Sequence, residues 1–192
     1  MAPGLLPNIY SEQGIASWYG PPFHGRRASD GEIFDMNQLV AAHRTLPFGT
    51  IVRVTNLSNG MQVDVRIIDR GPFVAGRVID LSLAAAQAIN MVGPGTASVK
   101  LELVSGPQPP AAGIFTVQVG AFQERENAER LRAGLLARYP DIFFQEFDAP
   151  AGHFYRVLVG RLANEQAAEQ EAAKLASEDG LQTFVVRVDT LQ

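Results

Sequence analysis

The chain has no cysteine. This excludes disulfides, thiolate nucleophiles, Cys-ligated zinc and iron–sulfur clusters. It leaves the compartment open, because a cysteine-free chain is viable in either redox environment. No run reaches the ~18 apolar residues of a membrane helix. The opening Met1-Ala2-Pro3-Gly4 has neither a basic nor an apolar segment, so no signal peptide is expected there. The chain reads either as cytosolic or as one whose targeting segment has been removed. Basic excess is also missing: 16 Lys+Arg against 20 Asp+Glu leave a formal charge of −4, which weighs against nucleic-acid binding. No phosphate loop, nucleophile elbow or His-Glu-x-x-His motif occurs. His24, His43 and His153 are far apart in sequence, so neither a metal site nor a cofactor is expected.

Apolar residues make up 46% of the 192 and charged residues 19%, a core-forming composition. The clearest interruption is Ser105-Gly106-Pro107-Gln108-Pro109-Pro110-Ala111-Ala112-Gly113. Proline at this density continues neither a helix nor a central strand, so residues 105–113 read as a linker between two domains. The first half carries eight basic and eight acidic side chains and the second half eight and twelve. The net charge therefore sits in the second half.

Ahead of the linker the pattern is β-rich. Ile51–Thr55 and Gln62–Ile67 alternate with period 2 around the turn signal Asn59-Gly60, and Ser98–Val104 is a further strand. One alanine-rich helix is expected over Leu83–Ile89, with Ser82 or Asp80 at its start. Short strands, frequent turns and one short helix suggest a small β-barrel. Beyond the linker a 40-residue repeat relates Val117–Phe122 to Val157–Leu162, Ala128-Glu129 to Ala168-Glu169, Leu135 to Leu175 and Phe144 to Phe184. Two such strand–helix–strand units make a ferredoxin-like α+β sandwich, βαββαβ. Helices are expected over about residues 124–138 and 165–177. Alternation puts Phe115, Val117 and Val119 under the helices and Thr116, Gln118, Arg156 and Phe154 on the open face. Those groups suit a sugar polymer or an extended peptide; an ordinary solvated face is the other reading.

Among the acids, Asp69 is the most unusual, because it ends the apolar Ile67-Ile68 and precedes Arg70-Gly71-Pro72-Phe73. At a barrel rim, desolvation keeps such a carboxyl protonated, as a general acid requires; the alternative is a structural pair with Arg70. Asp80 has the same strand-then-acid shape, but its place at a helix start favours capping. Glu32 sits in a polar turn, where simple exposure is the other reading. His43, with apolar neighbours, reads as a core histidine bonded to backbone.

Several runs together carry a resemblance. They are Gly14-Ile15-Ala16-Ser17-Trp18-Tyr19-Gly20, Phe23-His24-Gly25, Gly31-Glu32, the run from Ala41 to Thr50, Val54-Thr55-Asn56, Asn59-Gly60, Asp69-Arg70-Gly71-Pro72-Phe73 and Ile79-Asp80-Leu81-Ser82. They resemble the rare lipoprotein A family. By that resemblance residues 1–13 are an N-terminal extension and 14–104 a six-stranded double-psi β-barrel catalytic domain. Residues 105–113 are then the linker and 114–192 a SPOR domain carrying the Val117–Phe122 signature. The resemblance implies a septal, endolytic-type lytic transglycosylase of Gram-negative bacteria, a lyase that cleaves MurNAc–GlcNAc β-1,4 bonds. Its substrate would be glycan strands free of stem peptides, and the SPOR domain would bind such denuded strands.

The family's site residues carry over to Asp69, Glu32 and His43. Asp69 would be the acid and base, Glu32 would stabilise the oxocarbenium-like state or act on Asp69 by like charge, and His43 would orient. Trp18, Tyr19 and Phe73 would stack on sugars or, equally, belong to the core, with Arg70 beside them, and Thr116, Gln118, Phe154 and Arg156 would bind glycan. Two departures stand out: Ile68 replaces a polar residue before Asp69, and Ala28-Ser29-Asp30-Gly31-Glu32 replaces Thr-Ala-Asn-Gly-Glu. The first removes a possible hydrogen-bond partner of Asp69, and the second adds a charge near Glu32. The lipobox cysteine is absent, so either the chain begins after it or this member is soluble in the periplasm. Membrane attachment is expected only through a lipid anchor absent from this chain. The location expected is the periplasm at the septum, or the outer membrane as a lipoprotein in full-length form. Two other readings compete: a non-catalytic glycan-binding protein, and a regulator that recruits division proteins.

Overall fold

A computed structural model of the protein describes residues 10–106, 113–149 and 152–188. It divides into two compact units between residues 111 and 112. Residues 107–112 of the expected linker lie outside the described residues.

The first unit has strands β1 (Ser11–Tyr19), β2 (Val40–Ala42), β3 (Ile51–Asn56), β4 (Gln62–Asp69), β5 (Arg77–Ser82) and β6 (Thr96–Ser105), with helix α1 (Leu83–Ala88) between β5 and β6. The strands close into a barrel in the order β1-β5-β2-β4-β3-β6. The β1–β5 and β2–β4 pairs are parallel and the rest antiparallel. Two boundaries move from expectation. The first strand starts at Ser11, not Gly14, because Ser11, Glu12 and Gln13 pair with Glu102, Leu101 and Lys100 of β6. Ser105 closes β6 instead of opening the linker. The β3–β4 hairpin turns at Gly60, whose φ of 73° is open to glycine at no steric cost. Ser82 caps α1 by accepting from the Ala85 amide at 3.2 Å, and Asp80 takes no part in the cap.

Inside the barrel, alternate residues of the strands meet in one apolar core that includes Ala16, Ala41, Val65, Ile67, Ile79, Leu81 and Leu101. A second cluster, Tyr19, Ala28, Phe34, Val40, Ala42 and Ile68, forms on the outer side of the wall. There residues 20–39, with no strand beyond the Arg27–Ile33 bridge, fold over β1, β2 and β4. β4 serves both clusters through a bulge. Ala41 pairs with Ile67 and Ala42 with Asp69, so Ile68 is an extra residue. The bulge lets Ile68 and Asp69 both leave the core side.

The second unit runs β7 (Ile114–Phe122), α2 (Arg125–Leu135), β8 (Ile142–Ala149), β9 (Gly152–Leu162), α3 (Glu165–Asp179) and β10 (Phe184–Val188). Its sheet has the order β10-β7-β9-β8, antiparallel throughout, which is the expected ferredoxin-like arrangement. Asn164 caps α3 through the Ala167 amide, and Gly180 ends it with a left-handed φ of 64°. Val117, Val119, Val157 and Val159 pack with Ala128, Leu135, Ala172 and Leu175 under the helices.

Candidate active site on the outer wall of the barrel

Pairing across the strands fixes the site. Ser17 of β1 is opposite Asp80 of β5, Asp80 is opposite Ala42 of β2, and Ala42 is opposite Asp69 of β4. Residues in such a row point to one face of the sheet. Two carboxylates therefore flank the small methyl of Ala42, their Cα atoms about 10 Å apart by two strand spacings. Gly71 lies across this floor. A Cβ placed there would be 3.9 Å from both the Ala42 methyl and Asp80 Oδ2, and its φ of 146° also resists a side chain.

Asp69 is anchored at one oxygen only. Its Oδ1 accepts from the Ser29 amide at 3.1 Å, the Ser29 hydroxyl and the Arg70 amide at 2.8 Å. No hydrogen bond among the described residues reaches Oδ2. Burial pushes the Asp69 carboxyl above its ordinary range, against the pull of Ser29, of the Arg70 amide and of the Arg70 charge. Asp80 Oδ1 accepts from Ser17 at 2.5 Å and from Arg77 at 2.6 Å. Ile68, the departure noted in sequence, is turned into the outer apolar cluster, and Ser29 is the polar partner of Asp69.

The other expected catalytic residues are placed differently. Glu32 is exposed and held bidentately by Arg66 at 2.8 Å on both oxygens; that bond keeps its carboxyl below the usual range. The acid whose charge interacts with Asp69 is Asp30. Its amide bonds the Ile68 carbonyl at 3.1 Å, and its carboxylate accepts from the Glu32 amide at 2.9 Å. Burial first, then the charges of Glu32 and Asp69, raise Asp30 against the opposing pull of the Glu32 amide and Arg66.

His43 is buried and its ring does not meet Asp69. Nδ1 accepts the Thr45 and Leu46 amides at 3.2 and 3.1 Å, so the ring proton is on Nε2, 3.0 Å from Glu12 and 3.3 Å from the Tyr10 hydroxyl. Burial raises the Glu12 carboxyl, but bonds from His43 and Tyr10 outweigh it and leave the group below its usual range. The link from His43 to Asp69 is through backbone: its amide donates to the Asp69 carbonyl at 3.0 Å.

The expected sugar contacts in the barrel also need correction. Arg70 is buried; its guanidinium donates to the carbonyls of His43 and Leu46 at 3.0 and 2.9 Å and lies 3.8 Å over the Phe48 ring. It braces the 43–48 turn. Tyr19 is buried too, stacked on Phe34 at 4.3 Å and edge-on to Phe23 at 5.0 Å. Its ring offers no stacking surface. Trp18 alternates to the core side, where it is half-buried against the barrel interior. Phe73 is half-buried beside Gly71.

Asp80, Asp30 and Ser29 are the residues that sequence reasoning missed. Asp80 had the signal, an acid ending an apolar strand, but only its register with Ala42 reveals its neighbour.

On the second unit, Thr116, Gln118 and Arg156 lie on the face without helices but are buried, at 0%, 4% and 3% exposure. They sit on the two central strands among larger side chains. Thr116 donates to the Val159 carbonyl at 3.1 Å. Arg156 donates to Gln118 at 2.6 Å, reaches Gln145 at 3.5 Å and lies 4.9 Å over Phe147. Phe154 is half-buried.

Comparison with known proteins agrees with the two-domain architecture. A family model described as "Lytic transglycolase", a double-psi β-barrel, matches residues 11–101, and the SPOR domain model matches residues 111–187. A relative from Pseudomonas aeruginosa (strain UCBPP-PA14) is 36% identical over 205 residues, covering 93% of this chain and 59% of that protein. One from Vibrio cholerae is 52% identical over 137 residues, covering 67% and 52%. Both bear the name "Endolytic peptidoglycan transglycosylase RlpA". A Synechocystis relative with the same name prefixed "Probable" is 65% identical over 91 residues, covering 47% and 28%. The chain thus spans about half the length of most relatives it matches, or less.

Proposed function

The chain belongs to the rare lipoprotein A family, and from that premise we propose that it is an endolytic lytic transglycosylase acting on the MurNAc–GlcNAc β-1,4 bonds of peptidoglycan. One observation carries the reading: Asp69 is held by three donors at Oδ1 while Oδ2 has no hydrogen-bond partner among the described residues, on the same row as Asp80. A general acid needs a fixed carboxyl with one free oxygen and a proton retained near neutral pH. Desolvation moves Asp69 toward the second requirement.

In the first half-reaction Asp69 Oδ2 gives its proton to the glycosidic oxygen as the C1–O bond breaks. The MurNAc C6 hydroxyl then bonds to C1 and passes its proton back to Asp69, closing a 1,6-anhydro ring. No water is consumed, so one group serves both steps. Asp80, ion-paired to Arg77 and set across the Ala42 floor from Asp69, supplies negative charge opposite the oxocarbenium-like state. Glu32 and Arg66 form the exposed rim and orient the strand. His43, Glu12 and Arg70 hold the turn that presents Asp69.

The substrate would be strands stripped of stem peptides, bound also by the helix-free face of the SPOR sheet, with action in the periplasm at the septum and division proteins as further partners. Mass spectrometry of amidase-treated strands incubated with the protein tests the reading. Anhydro-ended fragments from the parent, absent with Asp69→Asn, are expected. Reducing ends would mean a hydrolase, and intact strands that still co-sediment with both proteins would leave only a glycan-binding protein.

A further inference from the structure

The hydroxyl of Tyr19 is buried and has no hydrogen-bond partner among the described residues. Such a group is costly to leave unpaired, and phenols buried in protein interiors usually find a partner. This one lies in a particular place. Tyr19 is two residues from Ser17 on β1, so both share the face that carries Asp80, Ala42 and Asp69, and Tyr19 itself pairs with Ser82 of β5. Phe34 and Phe23 clamp the ring. The hydroxyl sits in the field of three acids, Asp69 foremost, then Asp80 and Asp30; with burial, their charges hold its proton firmly. On the same face, where Tyr19 packs with Ala42 and Ile68, Asp69 Oδ2 accepts no hydrogen bond among the described residues.

We propose that Tyr19 is a positioning residue for Asp69: once Asp69 has given its proton to the leaving oxygen, the Tyr19 hydroxyl donates a hydrogen bond to Oδ2 and holds the carboxylate ready to receive the C6 hydroxyl proton. Tyr19 keeps its own proton throughout, so the proton count of the reaction is unchanged. The role as catalytic support rests on the transglycosylase reading; the hydrogen bond itself does not.

The charged and titratable groups around Asp69 come from each element packed there. They are Asp30 and Glu32 from the covering loop, Arg66 and Arg70 from β4 and its end, and Asp80 and Arg77 from β5. Arg66 and Arg70 hold Glu32 and the His43 and Leu46 carbonyls, and Arg77 holds Asp80 through Nη2, its buried Nε having no partner among the described residues. Tyr19 is the buried neutral donor in this set with none.

Tyr19→Phe removes the oxygen and leaves the ring between Phe34 and Phe23. Two readouts then separate the inference from the activity. The first is a carbon-detected NMR titration of the Asp69 carboxyl in parent and variant. Loss of a donor to the ionised form should raise the Asp69 midpoint by about half a pH unit or more. An unmoved midpoint overturns the proposal. The second is turnover on stem-free strands. Tyr19→Phe should lower kcat about tenfold, with KM within about twofold and the alkaline limb moved up in pH. A raised KM with unchanged kcat would make Tyr19 a sugar contact and would also overturn the proposal. A parent that releases no anhydro fragments sinks the transglycosylase reading alone, because the titration still decides whether Tyr19 and Asp69 are coupled. Thermal melts of both proteins check that the variant is folded.

Discussion

The two sheets of this protein each set polar side chains on one face, and they do so to opposite effect. On the barrel wall, Asp69 and Asp80 each have one oxygen engaged, while their second oxygens accept nothing among the described residues. On the SPOR sheet, Thr116, Gln118 and Arg156 bond to a carbonyl and to one another. The same strand alternation thus leaves free carboxylate oxygens in one place and ties polar groups mainly to one another in the other. The first arrangement is suited to reacting, because a ligand or a proton completes it. The second is suited to holding a shape, because its buried groups bond mainly within the sheet. Substitutions on the wall should therefore cost activity, and substitutions on the SPOR sheet should cost stability.

Asp69→Asn should do the most. Release of anhydro-ended fragments should fall by about 10³-fold, within the range for a lost general acid, while the Asn side-chain oxygen keeps the three donors at Oδ1. Stability should move the other way. The folded-state pKa of Asp69 is raised, so the folded protein binds that proton more tightly than the unfolded chain, and the parent loses stability as pH rises from the unfolded value of ~3.9 through the folded one. Melts from pH 4 to 8 should show the Asn variant gaining on the parent across that window and level above it. A variant that falls behind as pH rises would break the contrast.

Asp80→Asn should lower turnover about 10²-fold, as expected for a lost electrostatic stabiliser, with binding of strands kept in co-sedimentation. If only the melting temperature falls, Asp80 is part of the barrel's framework and the open row shrinks to Asp69.

Arg70→Met should behave like a SPOR-sheet substitution although it lies next to Asp69. It strands the His43 and Leu46 carbonyls, at a cost of about 2–3 kcal/mol in denaturant unfolding. Arg156→Met should cost about 1–3 kcal/mol by leaving Gln118 without its donor, and it should weaken strand binding by the isolated second domain only as far as that domain unfolds. Unchanged stability with lost binding would show that the network is itself the glycan contact. Glu32→Gln should do least to the fold, about 0.5 kcal/mol or less, because its pair with Arg66 is solvent-screened. Its effect on turnover then measures the rim alone.

Much of the fold was legible because it is written in local periodicity. The β3–β4 hairpin, the α1 helix and the 40-residue repeat follow from residue spacing and turn chemistry. Strand β2 is three residues long, too short to carry a period, and the parallel β1–β5 and β2–β4 pairs join segments far apart in sequence. Asp69 was recognisable because it ends an apolar strand. Its neighbours were not, since Asp80, Ser29 and Asp30 reach it only through cross-strand register and a folded loop. Alternation assigned Thr116, Gln118 and Arg156 to the correct face, but it reports side and not depth, so their burial was invisible. For Arg70, adjacency to Asp69 suggested a pair, whereas consecutive residues at a strand end diverge, and the guanidinium went to the 43–46 turn.

The extra residue in β4 has a consequence for anyone who would transplant this site. Were Ile68 kept but the bulge lost, regular alternation would turn Asp69 toward the barrel's interior, where its charge would have no water and no donors. A graft onto another barrel must therefore carry the bulge, not only identities. Copying the identities onto a strand without the bulge would reproduce every side chain of the site and turn its acid inward.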